Sequence, residues 1–240
     1  MENATYTALT RQSGLMREMS VIANNIANAS TTGYRTESVI FSEHVKSLEH
    51  NQESISMATA SVRNTISIQG SHTLTGGTFD LAIEGDGFFL IDTPQGQRLT
   101  RAGHFTPNGE GDLVTPDGYP VLDAGGAPVF IPQGVDNIGI APDGTLSADG
   151  QPVAQVGLVI PNDPTEMTRE GGTMFRADAG YEEATDGRMM QGFLEESNVD
   201  SVLQITRMIE VQRAYELGQS FLEKEDQRLR SAVEALGRSR

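Results

Sequence analysis

The chain contains no cysteine and no tryptophan, and its 240 residues include only nine phenylalanines and five tyrosines. Without cysteine there is no disulfide, no thiolate metal site and no cysteine nucleophile. Aromatics this sparse supply no stacking platform for nucleic acid. No apolar run approaches the roughly 20 residues needed to cross a bilayer as a helix, so membrane insertion is not expected. The first residues, Met1 to Gly14, lack the charged-then-apolar pattern of a secretory signal. If the protein leaves the cytoplasm, the expectation is export without a cleaved signal peptide.

Positive charge is also scarce: 17 Lys and Arg against 33 Asp and Glu leave a net charge of −16. The imbalance is local. Residues 36–194 carry seven basic and 22 acidic side chains, whereas residues 1–35 sum to +1 and 195–240 to −2. An acidic middle repels nucleic acid and keeps an exposed surface soluble. Near-neutral ends suit segments that pack on something. Proline divides the chain in the same way, since all ten lie between Pro94 and Pro164.

The proline-free ends read as helices. From Glu195 to Leu236, Met208, Tyr215, Leu222, Leu229 and Leu236 recur every seven residues. The companion position reads Ile205, Gln212, Gln219, Asp226, Val233, apolar at its ends and polar in the middle. That recurrence marks a helix, ~60 Å long at 1.5 Å per residue, that packs lengthwise on other helices. Ser197 and Asp200 form a capping-box-like start, and Gly237 a stop. The polar middle of the seam favours a multi-chain helical assembly, with an intramolecular core as the alternative. At the other end, Asn3 to Asn28 is a second amphipathic helix. Leu9, Met16 and Ala23 are spaced by seven, and Leu15, Met19, Ile22 and Ile26 broaden the same face. The two ends are expected to pair.

Residues 36–74 are rich in small polar groups, with Ile66-Ser67-Ile68 alternating like a short strand, and read as an extended linker. From Phe79 to about Phe193 the pattern is β. Strand-sized apolar runs such as Gly87-Phe-Phe-Leu-Ile91 and Val153 to Ile160 alternate with turn signals such as Pro107-Asn108-Gly109 and Asp149-Gly150. The expected fold class is α+β: N- and C-terminal helices pairing as a coiled-coil stalk, with a central all-β antiparallel domain, barrel-like or a curled sandwich. The expected divisions are 1–35, 36–74, 75–193 and 194–240.

Sites for chemistry are weak. His44 and His50 are six apart, the wrong spacing for a helical metal pair. Gly85-Asp86-Gly87 lacks the next glycine and the helix of a phosphate loop. Asp112, Asp117, Asp143 and Asp149 do not follow calcium-loop spacing. No nucleophile elbow accompanies the serines. The expectation is no cofactor, no metal and no enzymatic activity.

Several stretches carry a resemblance. Ala23-Asn-Asn-Ile-Ala-Asn-Ala-Ser-Thr-Thr-Gly-Tyr-Arg35 closely resembles the N-terminal motif of bacterial flagellar rod and hook proteins. Asp80 to Phe89, Thr93 to Gly96 and Leu99 to Phe105 resemble the opening of their β domain. Gly192 to Val199 and Met208 to Glu216 resemble their C-terminal helix motif. The matches fall in order and cover both ends and the middle. The short length and the start Tyr6 to Leu15 look most like the proximal part of the rod, with a distal rod or hook subunit as the near alternative.

The resemblance implies a self-assembling structural subunit of the basal-body rod that spans the periplasm, transmits torque and encloses the export channel. Its implied partners are its own copies, neighbouring proximal and distal rod proteins and the flagellar export apparatus, with no nucleic acid. Leu9, Met16, Met19, Ile22, Ile26, Ile205, Met208, Tyr215, Leu222, Leu229 and Leu236 would form the assembly interface. Asn24, Asn25, Asn28, Thr32, Gly33 and Tyr34 would form the motif turn. Two other classes fit parts of the pattern: a secreted carbohydrate-binding or hydrolytic β domain with helical flanks, and an export chaperone or regulator.

Overall fold

The computed structural model describes residues 2–46, 55–135, 137–184 and 186–238. Its chain falls into two units: Met1–Ala27, Glu37–Ile66 and Asp200–Arg240 form one, and Asn28–Thr36 with Ser67–Val199 the other. The fold class is α+β, and the named strand pairs are all antiparallel.

In the first unit, helix α1 runs over Glu2–Ala27 and helix α2 over Ser201–Arg238. Helix α2 has 38 residues, or about 57 Å. Its start is set by Asp200, whose carboxylate accepts from the backbone N–H of Leu203 at 3.0 Å. Ser197 is not the cap. Its hydroxyl instead accepts from Val199 N at 3.3 Å, and Phe193–Glu195 is a strand that pairs with His72–Leu74. Cross-strand pairing, a non-local term, thus moves the helix start six residues beyond Glu195.

The segment read as a linker contains a hairpin. Strands β1 (Glu37–Lys46) and β2 (Ile55–Thr65) pair from Glu37↔Thr65 to Lys46↔Ile55, with a register shift between Ile40 and Phe41. Helix α1 packs on both strands. The small polar residues that suggested a connector are compatible with strand once two such runs pair. The strand-like Ile66 to Ile68 lies past the end of β2, and Ile68 is exposed. Residues 47–54, including His50, lie outside the described residues, as does the side chain of His44.

The second unit is a curled antiparallel β body. Its largest sheet is ordered Met167–Arg169, Met174–Ala177, Gly96–Thr100, Phe88–Thr93, Leu158–Pro161, Tyr181–Glu183, with Val121–Leu122 also on Phe88–Thr93. The central strand is apolar from Phe88 to Ile91, where both faces are covered, and turns polar at the exposed Asp92. Phe89 and Ile91 enter one core cluster with Leu81, Phe105 and Leu113, while Leu90 joins Leu99, Leu122 and Phe175 in another. Phe89 meets Phe105 edge-on at 5.1 Å between centroids. A separate three-stranded sheet holds Ile138–Ile140, Thr145–Ala148 and Gln151–Gln155. Its second hairpin turns at Asp149 (φ 50°) and Gly150 (φ 80°), the paired positive angles of a type I′ turn.

Candidate assembly interface

The helical unit closes on a narrow seam. Leu15 and Ile22 of α1 meet Val211 of α2, with Met19, Ile26, Met208, Ala214 and Tyr215 packed around them. On α2 between Gln204 and Leu222 the residues that are not exposed are Gln204, Met208, Val211, Ala214, Tyr215, Gly218, Ser220 and Leu222, of which Val211 is buried. The partners of Met208, Tyr215 and Leu222 are therefore Val211 and Gly218, three residues on, and not Ile205, Gln212 and Gln219. This corrects the register expected from the sequence. Ile205 is 50% exposed, and Gln212, Gln219 and Asp226 face solvent, bonded along their own helix to Glu216, Tyr215 and Arg230. Small residues decide the choice: Val211, Ala214 and Gly218 let α1 approach, where glutamines would hold it off.

Polar contacts fix the register. Gln12 Nε2 donates to the Tyr215 carbonyl at 3.0 Å, beside Gly218. Glu18 accepts from Arg207 Nε at 2.8 Å. That hydrogen bond raises the Arg207 pKa further. Asn25 is 1% exposed and reads both backbone groups of Glu37: its Nδ2 donates to the carbonyl at 2.8 Å, and its Oδ1 accepts the N–H at 3.0 Å. A side-chain amide is the one group that can pair with a peptide in this two-way fashion.

Of the other expected interface residues, Ile22 is buried, and Met19, Ile26, Met208, Tyr215 and Leu222 are half-buried. Leu9 (50%), Met16 (58%) and Leu229 (45%) are exposed. The side chain of Leu236 lies outside the described residues. Large apolar side chains not expected at an interface also stand in solvent on α2: Val202 (75%), Leu203 (62%), Ile209 (46%), Leu217 (73%) and Phe221 (45%). A two-position heptad seam does not select them, because α2 carries apolar residues around more of its circumference.

The motif turn splits in use. Asn24 is exposed, and Asn25 is the backbone clamp of the helical unit. In the β unit, Thr31 N–H bonds the Asn28 carbonyl at 3.1 Å. Gly33, at φ +69°, donates to the Glu195 carbonyl at 2.8 Å. A Cβ on Gly33 would fall 2.3 Å from Ala102 N, so only glycine fits. Tyr34 is 1% exposed, and the Arg169 guanidinium lies 4.4 Å from its ring centroid and 4.6 Å from that of Phe175.

Next to this turn sits a buried ion cluster. Glu195 (1% exposed) receives Arg35 Nη2 at 2.7 Å and Arg101 Nη1 at 3.2 Å. Arg35 also donates to the Ser67 carbonyl, and Arg101 to the Gly85 carbonyl at 2.8 Å. Burial pulls both arginines below their ordinary pKa, Arg101 to about 10, with Glu195 opposing the shift in each, so Arg101 stays cationic at neutral pH. The Nε–H of each has no hydrogen-bond partner among the described residues, so the carboxylate is the indispensable member. Asn198 completes the junction, accepting from Thr36 N at 2.6 Å and donating to the Ile68 carbonyl at 2.7 Å. The sequence carried one signal for this cluster: charges placed just after apolar residues, as in Leu99-Thr-Arg101 and Phe193-Leu-Glu195. Each of the three ions comes from a different one of the stretches that carry the family resemblance.

Among the described residues no group of three or more His, Cys, Asp or Glu is placed to hold a metal, and no helix is long and apolar enough to cross a membrane. The four turn carboxylates are spread over separate turns. The Asp143 carboxylate caps its own turn by accepting from Thr145 N at 2.9 Å.

Three family models match the chain in order. Residues 6–35 match the flagella basal body rod protein model, 82–148 the flagellar hook protein FlgE/F/G D1 domain, and 190–235 the flagellar basal body rod FlgEFG protein C-terminal model. The chain belongs to this family of flagellar rod and hook proteins, whose members are structural. Within it the chain is like the basal-body rod subunits along its whole length. It is 40% identical to flagellar basal-body rod protein FlgF of Caulobacter vibrioides, with 99% of each chain covered. It is 37% identical to FlgF of Mesorhizobium japonicum over the same shares, and 32% identical to FlgG of Bacillus subtilis over 97% of this chain and 98% of that one. The chain is a structural subunit of the flagellar basal-body rod.

Proposed function

We propose that the chain builds the rod by helical self-assembly through its helical unit, transmitting torque and enclosing the export channel. The observation that carries this is the row of large apolar side chains left in solvent on α2, from Val202 and Leu203 to Leu217 and Phe221, with Leu9 and Met16 on α1. A monomer does not keep such a row without use, because each side chain forfeits its burial free energy. Head-to-tail contacts through non-identical patches give open helical arrays. In this reading α1 and α2 join neighbouring helices in a coiled-coil-like stalk, drawn from within the expected end segments 1–35 and 194–240. Residues 36–74 connect it to a β domain of 75–193. The neighbours are further copies and the proximal and distal rod proteins, reached after delivery by the flagellar export apparatus without a cleaved signal, in the periplasmic part of the basal body.

The test is Leu217→Asp, at a side chain 73% exposed in the monomer. The purified variant should keep the thermal midpoint of the parent, while basal bodies isolated from cells expressing it should lack the subunit and the cells should not swim. Normal incorporation would remove the helical unit as the assembly surface. Leu222→Asp is a weaker probe because Leu222 is half-buried, so loss of assembly could come from misfolding.

A further inference from the structure

The β unit contains a cleft that the assembly reading leaves unused. Its volume is about 300 Å3, the low end of the small-molecule range. Ile91, Met174 and Leu194 supply apolar wall, while Thr32, His104 and Tyr119 bring polar groups.

His104 is held as a functional histidine would be. Its Nδ1 lies 2.6 Å from Asp80 Oδ1, and Asp80, itself 8% exposed, is fixed through its other oxygen by the Thr75 hydroxyl at 2.5 Å. Asp80 and His104 are further joined by an antiparallel bridge. A carboxylate oxygen at Nδ1 favours the tautomer with the proton there, which leaves Nε2, on a side chain 51% exposed, as an acceptor with no hydrogen-bond partner among the described residues. The hydroxyls around it divide sharply. Thr100 Oγ1 donates to the Thr173 carbonyl at 3.1 Å, and Thr115 Oγ1 accepts from Tyr119 N at 3.1 Å. The hydroxyls of Thr32 and Tyr119 have no partner among the described residues, although both residues are half-buried.

The lining selects the ligand by exclusion. No lysine or arginine lines the cleft and Asp117 does, so an anion is disfavoured. Among the described residues no cluster of three or more His, Cys, Asp or Glu is placed to hold a metal, and the cleft itself offers only His104 and Asp117. What remains is a small neutral molecule with an apolar face and an edge of hydroxyls that both donate and accept. We propose that this cleft binds a single pyranose ring, with His104 Nε2 accepting from a ring hydroxyl and the Thr32 and Tyr119 hydroxyls completing the edge. This goes beyond assembly and does not depend on it.

The test is a titration of the full-length protein, with histidine labelled in 13C, by glucose and separately by N-acetylglucosamine, following the His104 ring resonance by NMR. That resonance is assigned by its absence in His104→Ala. A saturable shift with a dissociation constant on the order of 1 mM is expected for a ligand of about a dozen heavy atoms. Ligand-observed saturation transfer should then show affinity at least about ten-fold weaker in His104→Ala and about three-fold weaker in Thr32→Val, each folded by circular dichroism. Three results would overturn the proposal. One is the absence of any saturable shift with either sugar. Another is equal binding by parent and both variants, which would place the sugar elsewhere. A His104 shift that follows protein concentration and ignores sugar would also overturn it, assigning the cleft to a side chain of a second copy.

Discussion

The two units of this chain differ in how much of their apolar content they enclose, although the β unit too leaves Ile68, Leu74, Phe130 and Val153 exposed. In the β unit Leu81, Phe89, Leu90, Leu113, Leu146 and Phe175 have essentially no solvent exposure, and both faces of the central strand are covered from Phe88 to Ile91. In the helical unit the fully enclosed cluster is Leu15, Ile22 and Val211, while larger side chains along α2 stand in water. A folded domain that buries its large apolar side chains is complete by itself. One that leaves them out is part of something larger, and most helical stability comes from packing of the apolar face. The contrast also locates the buried ions: the β unit encloses a two-arginine, one-glutamate cluster, and the helical unit relies on amides and a half-exposed Arg207–Glu18 pair.

The contrast can be broken most forcefully at Glu195. Glu195→Ala leaves two arginines buried without their counter-charge, and the β unit should lose about 3–5 kcal/mol, read as a lower urea midpoint from the near-ultraviolet signal of its aromatics. A loss below 1 kcal/mol would mean that the cluster is solvated and the β unit less self-contained than its burial implies. A smaller effect is expected from Asn25→Ala, which strands both backbone groups of Glu37 and should cost the helical unit about 2 kcal/mol. Hydrogen exchange should show that loss in α1 and the β1–β2 hairpin, with the amides of Phe88–Thr93 unchanged. Equal loss of protection in both units would show that they unfold as one.

The smallest effect is one of pH. Hydrogen bonds from Thr73 and Ser71 hold the fully exposed Glu196 carboxyl below its ordinary value of 4.5. A lowered folded pKa contributes stability that is complete above the unfolded value and disappears as pH falls through the folded one. Thermal midpoints measured at pH 5.5 and at pH 3 should therefore differ slightly less in Glu196→Gln than in the parent. An identical difference would mean that the Thr73 and Ser71 bonds do not persist in solution.

Much of this was written in local pattern. The two proline-free amphipathic ends became α1 and α2, the apolar runs between turn signals became strands, and Gly33 and Tyr34 sit in a turn the sequence marked. These features depend on residues a few positions apart, where helix period, strand alternation and turn chemistry act directly. Non-local pairing decided the rest. Residues 37–46 and 55–65 became paired strands because the two runs found each other and α1 packed on them. Residues 193–195 became a strand because His72–Leu74 pairs with them. The seam of α2 took Val211 and Gly218 over Ile205 and Gln212 because only small side chains admit Gln12 and Leu15 of α1. Arg35, Arg101 and Glu195, spread over 160 residues, meet only when the fold is complete. The sequence by itself determined that both ends are helical, that the proline- and glycine-rich middle is β and where the charge lies. The tertiary structure decided which faces are spent inside the monomer and which remain for neighbours, because burial is a property of what packs against a residue and not of the residue alone.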